Sequence, residues 1–175
     1  MKNIVILALV LLSFTLSAQT PEQKLSQLGI HLPQIPESFG SYVDMVKVGN
    51  LVFLSGRGPL KADRKYISGK VGQELRTDEG YQAARLTALN QLAVLKQAFG
   101  SLDKIKQIVK VNGYVNTVDS FTEHSKVMNG FSDLLIEVFG EQGRHSRTSV
   151  GVLSLPQNMA VEVEMIVEMK DSSTE

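Results

Sequence analysis

The chain has 175 residues, with 18 basic and 18 acidic side chains, no cysteine and no tryptophan. Balanced charge offers no basic field for nucleic acid, and zero cysteine excludes disulfides, a thiolate nucleophile and a cysteine-ligated zinc site. The length suits one domain whose core needs no covalent staple.

The opening stretch, MKNIVILALVLLSFTLSAQT, has Lys2, an apolar run from Ile4 to Leu12, and then small and polar residues up to Ala18 and Gln19. That layout predicts a signal peptide over residues 1–18, with a periplasmic or secreted mature chain that keeps no stable membrane anchor. Residues 19–41, rich in proline and serine, are expected to be a lead-in with little periodicity, residues 42–170 the folded domain, and 171–175 a polar tail. Within the domain, residues 42–48 read as a strand, Gly49 and Asn50 as a turn, and 51–54 as the partner strand. Glycines and charges at close intervals from residue 55 to 75 describe a long loop, with room for a short strand at 65–67.

The clearest helix is expected over residues 77–99. Thr77 can cap it, Asp78 and Glu79 suit its positive end, and Ala84, Ala88, Leu92, Leu95 and Phe99 form an apolar stripe that Gly100 ends. In residues 105–118, Val109, Val111 and Val115 alternate with polar residues, which predicts a half-buried strand. A second helix is expected from Asp119 or Ser120, with Val127, Phe131, Leu134, Leu135 and Val138 inward and Gly140 at its end. Residues 148–153 read as a strand, 155–158 as a turn, and 161–169 as a final strand. In that last strand Val161, Val163, Met165, Val167 and Met169 share one face, while Glu162, Glu164 and Glu168 share the other. The economical packing is an α+β fold, one mixed sheet with two helices on one face. Its other face carries Tyr114, Ile166 and uncharged asparagines, which suits burial in an oligomer.

Three segments, SYVDMVKVGNLVFLSG, LTALNQLAVLKQAFGSLDKIKQIVKVNGYVN and SRTSVGVLSLPQNMAVEVEMIV, occur in an order that resembles the YjgF/YER057c superfamily, the RidA or reactive-intermediate deaminase family. The resemblance implies a chorismate-mutase-like fold, a homotrimer with sites between subunits, and hydrolysis of enamines and imines to 2-keto acids and ammonia. It places Arg147 as the clamp for a substrate carboxylate and Glu162 as the partner of the attacking water. It further places Tyr42 in a neighbouring subunit's pocket, the Gly56 backbone beside the ligand, and Asn129 near the pocket. Arg57-Gly58-Pro59, the loop from Lys61 to Glu74, Ser149 and Gly151 depart from the deaminase pattern, so the fold transfers more firmly than the substrate.

The chemistry of these residue types fits that assignment. A guanidinium fork holds a carboxylate by two charge-assisted bonds, and a carboxyl can orient or deprotonate water. Arg147 and Glu162 lie either side of one turn, so both are expected to face one cleft; the plainer reading is a cross-strand ion pair. Tyr42 also fits an interface aromatic, and Arg57 either a second cation for a dicarboxylate or a solvated, paired residue. Asn129 fits a bridge from helix to loop, Arg144 and His145 a loop surface or pocket rim, and His124 an ordinary surface position. No metal-ligand spacing or cofactor motif is present, so the expected partner is a small carboxylate-bearing ligand without metal or cofactor. An alternative is noncatalytic binding of small carboxylates or 2-keto acids by the same exported trimer.

Overall fold

In the computed structural model, residues 19–36 and 40–171 are described. The expected signal segment, 1–18, and the tail beyond Asp171 lie outside these residues.

The first element departs from the expected lead-in. Thr20 caps a short helix, α1 (Pro21–Gln27), by a reciprocal capping box: Gln23 N donates to Thr20 Oγ1 at 3.3 Å, and Thr20 N donates to Gln23 Oε1 at 3.0 Å. Glu22 then ties this helix to the domain. Its carboxylate accepts from Leu102 N (2.9 Å) and Lys96 Nζ (2.6 Å). Pro21 and Leu25 are buried.

Five strands follow: β1 (Met45–Val48), β2 (Leu51–Arg57), β3 (Ile105–Asn116), β4 (Ser146–Val152) and β5 (Val161–Met169). Their order is β1-β2-β5-β3-β4, antiparallel throughout except for the parallel β3/β4 pair at one edge. Two long helices cover one face, α2 (Thr77–Phe99) and α3 (His124–Phe139). Helix α2 keeps the expected bounds, but its N-cap is Arg76, whose backbone N–H is taken by Glu79 Oε2 at 2.8 Å. The Thr77 hydroxyl instead donates to Glu123. Helix α3 begins at His124 rather than at 119 or 120, because Asp119 and Ser120 lie in a turn closed by Phe121 N to Val118 O.

The alternation in β5 is realised in full: Val161, Val163, Met165, Val167 and Met169 are buried against the helices. Each such side chain contributes about 1.5–3 kcal/mol of transfer free energy. Close approach of the helices depends on Gly130, where a Cβ would lie 2.0 Å from the Tyr81 carbonyl oxygen. The opposite sheet face is open. It exposes Val46, Val48, Leu51, Phe53 and Val150 beside a polar ladder in which Asn112 donates to Glu164 at 2.9 Å.

Candidate active site

The residues singled out above gather in two places. Arg147 lies on the edge strand β4, opposite Val111 of β3, and so on the helix side of the sheet. Glu162 lies on β5 opposite Tyr114, between buried Val161 and Val163, and so on the other side. The expectation that one chain turns both toward one cleft is therefore corrected. Strand β3 stands between them, which sets roughly 10 Å across the sheet, and their three-residue offset adds roughly 10 Å along it. The same geometry removes the cross-strand ion pair.

At the β4 edge, one guanidinium nitrogen of Arg147 donates to Ser132 Oγ at 2.9 Å and the other to the Ser125 carbonyl at 3.3 Å. Ser125, Asn129 and Ser132 are spaced four and three along α3, so they share one helix face with Arg147 across it. This brings Asn129, which is exposed, to the Arg147 region. No carboxylate pairs with Arg147 among the described residues. Burial lowers its pKa, with Asp133 opposing weakly. Ser149, two residues along the same face of β4, has a buried hydroxyl with no partner.

His145 belongs here too. Its Nε2 lies 3.0 Å from Ser132 Oγ and its Nδ1 2.7 Å from the Gly143 carbonyl. The carbonyl can only accept, so Nδ1 carries the proton and Nε2 accepts from the Ser132 hydroxyl, whose oxygen in turn receives Arg147. Burial depresses the His145 pKa, Arg147 adds to this, and the Gly143 bond opposes it. Arg144 matches the surface reading, exposed and paired with Glu141. His124 does not: it is half-buried, edge-on to Phe121 at 5.4 Å.

The second place is a cavity of about 390 Å³ lined by Tyr42, Gly56, Arg57, Arg64, Asn90 and Glu162 among others. Strand β2 bulges between Leu54 and Arg57, and there Gly56 comes against the Glu162 carboxyl. A Cβ on Gly56 would lie 2.4 Å from Glu162 Oε1, so this glycine makes room for the acid. Glu162 is half-buried; burial raises its pKa, and Glu164 raises it further. Arg57 is paired with Asp44 at 2.5 Å, its side chain only 15% exposed, which favours the paired over the free-cation reading. Tyr42 is 55% exposed at the cavity wall. Asn90, invisible to motif reading, donates to the Gly58 and Leu60 carbonyls and leaves its buried Oδ1 without a donor. Among the described residues no cluster of three or more metal-ligand side chains forms.

A five-stranded sheet with this order and helices on one face defines a chorismate-mutase-like α+β domain. A family model described as "YjgF/chorismate_mutase-like, putative endoribonuclease" matches residues 22–169. Protein TCP17 of Trypanosoma cruzi is 43% identical over 84% of this chain and 92% of its own. The 2-iminobutanoate/2-iminopropanoate deaminase of Dermatophagoides farinae is 31% identical, over 79% and 93%. The crystal structure of Atu1372 from Agrobacterium tumefaciens superposes with a TM-score of 0.78 at 40% identity, covering 86% of this chain and 92% of that one. One from Shewanella oneidensis gives 0.83 at 39%, covering 86% and 100%. The chain belongs to the YjgF/RidA family.

Proposed function

We propose that the protein hydrolyses imines and enamines of 2-amino acids to 2-keto acids and ammonia, in a site completed between subunits of a homotrimer. The observation that carries this reading is Arg147, a half-buried cation that, among the described residues, is hydrogen-bonded only to uncharged oxygens and makes no ion pair. A 2-imino acid brings the carboxylate that this fork lacks. Glu162, with its raised pKa and the cavity beside it, is suited to pass protons. It takes a proton from water as the oxygen bonds to the imine carbon and hands it to nitrogen. A second transfer, from the new hydroxyl to nitrogen, breaks the C–N bond and leaves C=O and ammonia.

Arg147 and Glu162 serve one substrate only if they come from different chains. The exposed apolar strip of Val46, Val48, Leu51 and Phe53 on the open face supports assembly, and the deaminase relative supports the reaction. Export of the mature chain belongs to the same proposal and rests on the first 18 residues of the sequence alone.

The test is ammonia and keto-acid release from freshly formed 2-imino acids by the wild type and Arg147→Ala. Acceleration over buffer, lost in the variant while the oligomer persists, is the expected result. No acceleration, with saturable binding of 2-keto acids that needs Arg147, would replace the enzyme by a carboxylate-binding protein.

A further inference from the structure

The Glu162 cavity is lined by two arginines in unlike states. Arg57 is neutralised by Asp44. Arg64 has no ion pair or side-chain hydrogen bond among the described residues, yet it too lines the cavity. The nearby acid of its own turn is occupied, since Asp63 takes Lys61 Nζ at 3.3 Å and Lys65 N at 3.1 Å.

The backbone makes this arginine an unusual choice. Lys61 N donates to Lys65 O at 2.9 Å and Arg64 N to Lys61 O at 3.0 Å, a tight turn closed by the Leu60–Tyr66 bridge. Its third loop residue is Arg64, at φ 62°. Glycine is ordinary there and asparagine tolerated, whereas other residues enter that region against steric resistance. Among the described residues three non-glycine residues have positive φ, Arg64, Gln157 and Asn158, and the first two, from separate loops, both line this cavity. The turn is also anchored: buried Asn90 holds the Leu60 carbonyl at its root. Strain of this kind concentrates where a side chain must be aimed.

We propose that Arg64 recognises a second carboxylate, so that the preferred substrate is the imine of a dicarboxylic 2-amino acid, an assignment that rests on the imine reading above. Arg147 takes the carboxylate beside the imine carbon and Arg64 the distal one. The other charges at the cavity leave this role open, because Arg57 and Asp44 cancel and Glu162 is committed to proton transfer. A cavity of about 390 Å³ is at the small end of ligand sites, which run roughly 300–1,000 Å³. The reaction balances as before: water adds to C=N, the C–N bond breaks, and a dicarboxylic 2-keto acid and ammonia leave.

Arg64→Gly tests this cleanly, since it removes the cation while relaxing the turn. The measurement is kcat/KM for imines formed in situ from glutamate and from 2-aminobutanoate by an amino-acid oxidase. The expected result is a glutamate-to-aminobutanoate preference that falls at least about tenfold in Arg64→Gly, is largely kept in Arg64→Lys, and is accompanied by no loss of melting temperature. Arg147→Ala, run in parallel, should lose both substrates. A preference unchanged by Arg64→Gly overturns the proposal and leaves the imine reading standing. If the wild type turns over neither imine, that reading fails, and calorimetry with glutarate and butanoate decides the role of Arg64. Glutarate binding weakened about tenfold in Arg64→Gly then supports it; equal binding, or none, overturns it.

Discussion

At the β4 edge a guanidinium is held by a hydroxyl and a carbonyl, whereas beside the β2 bulge a carboxyl sits in a cavity next to a glycine and a second acid. Among the described residues, Arg147 has no carboxylate bound to it and Glu162 no ion pair of its own. Within one chain the sheet keeps them on opposite faces, so neither charge is consumed by the other, and each keeps the perturbed state that burial imposes. An arginine paired in its own chain would have little left for a substrate carboxylate. Separation across the sheet keeps both groups unpaired within the chain, as the proposed inter-subunit site requires.

Arg147→Ala should have the largest effect, lowering kcat/KM on 2-imino acids by about 10²–10³-fold, read by ammonia release. Glu162→Gln should lower kcat by roughly 10²-fold with KM little changed, as loss of a proton carrier predicts. Mixing the two inactive proteins after dissociation tests whether a site draws on two chains. Random reassembly should restore about a quarter of the sites if each draws on two chains, and none if one chain holds both residues. Gly56→Ala, whose methyl would strike the Glu162 carboxyl, should cost about tenfold in kcat while keto-acid affinity at Arg147 holds, measured by calorimetry.

The smallest effects concern pH. Glu162 has a folded pKa raised above its unfolded value of about 4.3. Its share of stability is therefore full below that value and is lost as pH rises through the folded pKa. Glu162→Gln should accordingly raise the melting temperature above that window and leave it unchanged below. His145 is the reverse case. Its pKa is depressed, so its contribution is present above about pH 6.5 and is lost as pH falls. A melting temperature that drops as pH falls below about 6.5, and drops less in His145→Asn, is the expected result.

How far these features were legible depends on the range of the forces behind them. Strand β5 was readable because alternation is local: five apolar residues at period two leave only one face to bury. Helix α2 was readable from its acidic first turn and from Gly100. Helix α1 carried its signal as well, in Thr20 and Gln23 three residues apart, but the surrounding proline and serine concealed it. The start of α3 was misplaced because Asp119 and Ser120 are capping types, and only the packing of Phe121 on His124 shows that the chain is still turning. The site divided likewise. Tyr42, Gly56, Arg57 and Glu162 do share one cavity, and Asn129 lies near Arg147. The parallel β3/β4 pairing that parts Arg147 from Glu162 is a long-range choice with no local mark. Ser132, His145 and Asn90 acquire their roles only when distant segments meet.

The helix that Thr20 opens would also limit how far the proposed signal cleavage could stray. A cut after Ala18 leaves a single residue, Gln19, ahead of the cap. Trimming only four residues further, through Glu22, would remove the capping hydroxyl and leave Lys96 and the Leu102 amide without their carboxylate. If the chain is cut at the proposed site, the new terminus lies within a few residues of contacts that hold the domain together.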